Sequence, residues 1–305
     1  MYRRLNVAEK LMLKICRNST VQAGYVWWLK RHTALTKNPF TQCCQHLMTN
    51  ETVAAVVPMT CVYPMLLSTA DTERVVAACK RRQVSVQSAI QTAGVIAMCQ
   101  MISAGAIQHK IPVHNLDTAR VNCMAGLRGN VDSDYASDVS YVASHFYAIS
   151  QDIDVYQWTN DKQFWKLAEQ TQHLLRTKST DSMKSTLYQH NLLNGHAAEL
   201  PLFKRTSLLS FTNLGQCDHV NDAKCDASVQ VVGNYNTSSG HGSGPVFGNS
   251  VMTIQGRMNW GVMYYTNVTP TSTAKQYLER SVHILLDNCT SALEIREKPC
   301  GDNIR

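Results

Sequence analysis

The residues whose types could do chemistry are first of all its thiols and imidazoles. Cys43-Cys44 with His46, and Cys217 with His219 and Cys225, each gather three groups able to ligate a metal. Structural zinc takes four ligands at recurrent spacing, usually from paired Cys-x-x-Cys units. Neither cluster supplies that pattern, so no metal site is expected. A cysteine hydrolase needs a nucleophile context such as Gly-x-Cys-x-Gly, and none is present. Gly240-His-Gly-Ser-Gly244 is not followed by the Lys-Ser/Thr of a phosphate-binding loop and reads as a flexible connection. No two of the eleven histidines are adjacent; His114 and His219 each have Asp only three residues on, at Asp117 and Asp222. There remains Thr212-Asn213-Leu214-Gly215, polar residues at the end of an apolar run, where Asn suits a turn.

The elements that must position that tetrapeptide lie on either side of it. Thr206 to Gly215 reads as a buried strand stopped by Asn-Leu-Gly. Val229 to Val232 is a second strand candidate, and Gly233 to Ser250 a Gly/Ser-rich loop. In Arg257 to Asn267 the apolar residues Met258, Trp260, Val262 and Tyr264 recur at a spacing of two, which is a strand period. Thr271 to Leu286 then predicts a helix with Ala274, Leu278, Ser281 and Leu285 inward, ended by Asp287-Asn288.

Upstream, residues 1–17 read as a helix with Leu5, Ala8, Leu11, Met12 and Ile15 on one face. Between Lys37 and Met65 the pattern is poor, with Pro39, Pro58 and Pro64 as breakers. Ser68 and Asp71 fit a capping box for a helix over 72–82 with Val75, Val76 and Cys79 inward. Ser85 caps a longer helix with a small-residue stripe of Val86, Ile90, Ala93, Gly94, Ala97 and Met101. Val121 to Arg128 and Tyr141 to Ile149 read as strands. Asn160 or Asp161 caps a helix lined by Phe164, Leu167, Ala168, Thr171, Leu174 and Leu175, and Tyr188 to Gly195 reads as a short helix.

This order resembles the C-terminal half of the chloramphenicol-acetyltransferase-like acyltransferases, which include alcohol acetyltransferases and peptide-synthetase condensation domains. Thr212-Asn213-Leu214-Gly215 is similar to that superfamily's Ser-Asn-x-Gly segment on the floor of the active-site channel. Arg3 to Glu9 and Arg31-His-Thr-Ala-Leu35 resemble segments of its N-terminal part, and Val121 to Arg128 resembles a strand closing on Leu-Arg. The resemblance implies acyl transfer from a CoA or carrier thioester to an alcohol or amine, with the thioester as co-substrate and no bound cofactor. It also implies substrate-binding roles for Thr212, Asn213 and Gly215, the first two as donors to an oxyanion. Arg128 would pair with the Asp of the family's His-His-x-x-x-Asp-Gly motif, whose second His is the general base. That motif is absent from the chain. The resemblance also implies a longer stretch before the Ala-rich helix than the 85 residues that precede Val86. The reading is therefore a weak or inactive acyltransferase-like chain, with a non-catalytic binding or scaffold protein as the alternative.

The expected fold is α/β, a mixed sheet covered by helices on one side. Residues 1–65 would be the remnant of an N-terminal subdomain and residues 66–305 the C-terminal one. A 44% hydrophobic and 17% charged composition is that of a chain with a core. The net charge of +7 is dispersed. Lys80-Arg81-Arg82 and Lys30-Arg31 read as basic helix ends rather than a nucleic-acid stripe. Eleven irregularly spaced cysteines without a secretory leader point to free thiols in a reducing, cytoplasmic setting, where the five Asn-x-Ser/Thr sequons stay unused. No apolar run reaches membrane-spanning length. Self-association through an exposed subdomain face is expected.

Overall fold

The computed structural model describes residues 7–32, 59–104, 118–126, 146–154, 157–193, 207–217, 231–235, 245–266 and 269–294. In chain order these residues form α1 (Val7–Cys16), α2 (Ser19–His32), β1 (Thr60–Leu66), α3 (Thr69–Arg82), α4 (Val86–Ser103), β2 (Thr118–Gly126) and β3 (Phe146–Asp154). They continue with α5 (Phe164–Leu193), β4 (Ser207–Gln216), β5 (Pro245–Ile254), β6 (Arg257–Tyr265) and α6 (Thr271–Glu294).

The strands form one mixed sheet in the order β1-β6-β5-β4-β2-β3. Its centre, β2-β4-β5, is parallel, and both flanks are antiparallel. A two-residue hairpin joins β5 to β6, with Gln255 and Gly256 both at positive φ (50° and 70°). Such a turn matches the natural twist of the strands it joins. Pro64 does not break β1, contrary to the breaker reading. That strand is one of the two at the edges of the sheet, where a missing backbone donor is tolerated.

Helices α3, α4 and α6, with α5 beside β3, cover the face that carries Val121, Ile149, Phe211, Phe247, Val251 and Trp260. The caps read from the sequence form. The Ser68 hydroxyl accepts from the Asp71 amide at the start of α3, and the Ser85 hydroxyl accepts from the Ser88 amide at the start of α4. Between the two helices Gln83 takes a left-handed conformation. α4 is buried almost all round rather than along one stripe, with fourteen of its residues enclosed. Glycine is required at its middle. A Cβ at Gly94 would lie 2.6 Å from the Tyr277 hydroxyl oxygen and 2.7 Å from Phe211 Cζ.

Several expected boundaries move. Residues 231–235 carry no regular structure, so the strand expected to end at Val232 is not formed there. The loop expected to reach Ser250 gives way to β5 at Pro245. Gly248 and Asn249 look like loop residues but serve packing. A Cβ at Gly248 would meet Met263 Cε at 2.8 Å, and Asn249 holds core hydrogen bonds. The helix expected from Tyr188 is the last part of the thirty-residue α5. α6 runs past Asp287-Asn288 to Glu294, and the Asn288 side chain donates back to the Ile284 carbonyl inside the helix. Val76 is exposed, not inward. Leu11, Met12 and Ile15 are exposed as well, while Cys16 is buried.

Candidate functional site

The Thr212-Asn213-Leu214-Gly215 segment sits at the carboxyl end of β4, between its parallel neighbours β2 and β5. Thr212 pairs with Met124 on one side and Ser250 on the other, and Asn213 pairs with Val251. Gln216 is the next paired residue and faces Thr253. β4 thus advances three residues where β5 advances two, a bulge with one extra residue. The expected strand end at Gly215 is in fact this bulge, and pairing continues beyond it, with the Cys217 amide donating to the Thr253 carbonyl at 2.8 Å. Gly215 adopts φ +77°, yet a Cβ there would meet nothing within 4 Å. Backbone conformation, not space, calls for glycine.

Strand alternation separates the two polar residues. Asn213 follows the helix-facing series of Leu209 and Phe211. Thr212 follows the series on the opposite face. The Asn213 side-chain oxygen accepts the Gly215 amide at 2.8 Å, which ties it to the bulge. Thr212 instead joins a row of small residues across the sheet, Thr212, Ser250 and Gly261, next to the row of Ser210 and Gly248. Thr212 and Ser250 are half-buried and Ser210 is buried. Neighbouring strands lie about 5 Å apart, and Thr212 and Ser250 are paired across them on one face. That spacing lets Thr212 and Ser250 together address one oxygen of a ligand. Ser250 and Ser210 were missed because one was placed at the end of a loop and the other inside an apolar run. Along the same face Tyr235 packs on Gly261, its Cδ1 3.2 Å from where a Cβ would stand.

Behind Thr212 and Ser250, on the helix side, lies a closed polar knot. The Trp260 indole N–H donates to Asn249 Oδ1 at 3.0 Å, and the Tyr277 hydroxyl donates to the same oxygen at 3.2 Å. Asn249 Nδ2 donates to the Ser210 carbonyl at 3.3 Å. Phe247 stacks on Tyr277 with ring centroids 4.8 Å apart. Burial pushes the Tyr277 phenol up, out of any proton-transfer role near neutrality. The knot fixes β4, β5, β6 and α6 together beneath the hydroxyl row.

Arg128 lies outside the described residues, as do the Cys43/His46 group, His219, Cys225 and Gly240 to Gly244. Among the described residues no three His, Cys, Asp or Glu side chains are grouped to hold a metal. Burial pushes Cys79 and Cys289 up to about 12 and Cys123 up to about 11, so these thiols stay neutral and weakly nucleophilic. None of the seven described cysteines is joined in a disulfide. One histidine does have Asp four residues on, a spacing not singled out from the sequence: His283 and Asp287, 3.0 Å apart. Both side chains are exposed on α6 and one helical turn apart, with Val282 where the motif has its first His. That pair is a contact between neighbouring turns on the surface of a helix, not the loop motif.

The order β1-β6-β5-β4-β2-β3 with a parallel centre and this helix cover recurs in solved structures. The TRI3 trichothecene 15-O-acetyltransferase from Fusarium sporotrichioides superposes with a TM-score of 0.57 at 14% identity, over 81% of this chain and 52% of that one. The epimerization domain of tyrocidine synthetase B gives 0.57 at 14% identity, over 94% and 59%. The fold is chloramphenicol-acetyltransferase-like. The PapA2 acyl transferase has the same architecture (TM-score 0.50, 12% identity, 88% of this chain and 54% of that one). The chain spans a little over half the length of these chloramphenicol-acetyltransferase-like neighbours. No protein-family profile and no curated protein matches its sequence.

Proposed function

We propose that this chain is an acyltransferase-like protein built to receive a CoA or carrier thioester and an alcohol or amine, with weak or no turnover of its own. The observation that carries this is the chloramphenicol-acetyltransferase-like sheet with a hydroxyl row beside the bulge of β4. Thr212 and Ser250 would donate to the thioester carbonyl, and Gly215 would shape the bulge that presents them. Asn213 acts on the bulge backbone, its oxygen held by the Gly215 amide. Arg128 would serve as partner to the motif's Asp. The missing His-His-x-x-x-Asp leaves the acceptor without a base, and that absence favours the second reading, a binding or scaffold protein without catalysis. The division into residues 1–65 and 66–305 goes with this proposal, the sheet itself reaching back to Thr60. So does a cytoplasmic location; among the described residues no helix is long and apolar enough to cross a membrane.

The test is calorimetric titration with acetyl-CoA. Thr212→Val keeps the side-chain shape and removes one hydroxyl, a change of about 0.5–1.5 kcal/mol, or roughly two- to twelvefold in affinity. Binding that weakens by that factor in Thr212→Val and in Ser250→Ala supports the assignment. Binding unchanged in both, or absent in the parent chain, contradicts it.

A further inference from the structure

The first two helices carry a surface that the acyl-transfer reading does not use. In α1, Val7 is 84% exposed, Leu11 58%, Met12 48% and Ile15 43%. In α2, Trp27 is 60% and Trp28 47% exposed, with Tyr25 stacked on Trp28. Among the described residues of the pair Cys16, Gln22 and Val26 are buried, and the Gln22 amide donates to the Cys16 carbonyl to hold the two helices together. At about 100° per residue, Val7, Leu11 and Ile15 fall within roughly 80° of arc, and Lys10 and Lys14 occupy the arc beside them. Both lysines are exposed.

An apolar stripe flanked by cations, with exposed tryptophans on the next helix, is the pattern of helices that lie in a membrane interface. A protein–protein interface is ordinarily depleted of lysine in its core. Anionic headgroups complement Lys10 and Lys14, and indole rings settle at headgroup depth. We propose that α1 and α2 form a peripheral docking surface for an anionic lipid bilayer, with Val7, Leu11 and Ile15 entering the headgroup–acyl boundary, Lys10 and Lys14 meeting lipid phosphates and carboxylates, and Trp27 and Trp28 anchoring at the interface. This docking is independent of acyl transfer. It would bring the chain to a surface where apolar acceptors or acyl donors concentrate.

The full chain is mixed with vesicles of phosphatidylcholine alone or with phosphatidylserine at 7:3, and binding is read by flotation and by tryptophan quenching with brominated lipid. Trp158 and Trp260 are buried and Trp165 is half-buried beneath Arg82, so quenching reports mainly on the exposed Trp27 and Trp28. The expected result is binding to the anionic vesicles that weakens with salt. Replacing both lysines (Lys10→Gln, Lys14→Gln) should weaken it roughly thirtyfold, at about fivefold per charge. Leu11→Asp with Ile15→Asp should abolish it while the circular dichroism spectrum stays unchanged, as expected for surface positions. No binding to either vesicle overturns the proposal, as does equal binding to both. A doubled mass in light scattering that Leu11→Asp returns to monomer, with no vesicle binding, assigns the face to a second copy and also overturns it.

Discussion

Asn249→Leu is the most informative single change to the core. The substitution keeps the volume nearly constant but removes the one oxygen that accepts from both the Trp260 indole and the Tyr277 hydroxyl. Both donors are fully buried, so neither finds water. Each orphaned donor costs about 1–3 kcal/mol, and the Leu side chain recovers part of that by burying apolar surface. The expected loss is about 3 kcal/mol, read by urea denaturation as a lower midpoint at constant slope. Tyr277→Phe removes a donor and leaves Asn249 satisfied by Trp260, so it should cost only about 1 kcal/mol. In the double variant one orphan has already been deleted, and its cost should fall short of the sum by at least about 0.5 kcal/mol. An Asn249→Leu loss under about 0.5 kcal/mol, or strict additivity, would refute the shared-acceptor reasoning.

Gly94→Ala places a methyl into Tyr277 and Phe211, and should cost about 1–3 kcal/mol or more by urea denaturation. Gly215→Ala meets no atom but strains a φ of +77°, so a smaller loss of about 1 kcal/mol is expected, with acetyl-CoA affinity falling more than stability does. Burial holds the Cys79 and Cys289 thiols up to about 12 in the folded state, against an ordinary value of 9.0. Above pH 9 the unfolded state releases protons that the folded state keeps, so this contribution is intact below pH 9 and is lost as pH rises toward 12. The melting temperature should therefore fall steeply above pH 9, and less steeply in Cys79→Ala; identical slopes would contradict the assignment.

The sequence made legible those elements whose burial has a clear period. Thr72 to Arg82, the helix from Ser85, and the alternation of Met258, Trp260, Val262 and Tyr264 all lie where they were expected. β6 is buried on both faces, so its alternation understated its burial. β1 and β5 were hidden for a different reason. Pro64, Gly248, Asn249 and Ser250 are turn formers by type, and only the tertiary setting gives them strand roles: an edge position, a close approach to Met263, and a hydrogen-bond centre. At the candidate site the segment itself was legible, but its bulge was not. An extra residue in a parallel ladder leaves no mark in composition, and because the strand runs on to Asn213 before the bulge, alternation puts Thr212 and Asn213 on opposite faces, where a turn would have let them converge.

The central proposal, an acyltransferase-like chain with weak or no turnover of its own, is tested most directly by thiol release from acetyl-CoA. The purified chain is assayed with a panel of alcohols and amines beside an intact acyltransferase of the same fold. A missing general base is worth roughly 10²–10⁴ in rate. The account predicts release slower than the intact enzyme by at least that factor, even at saturating acetyl-CoA; release at a comparable rate would contradict it and require a base among the eleven histidines.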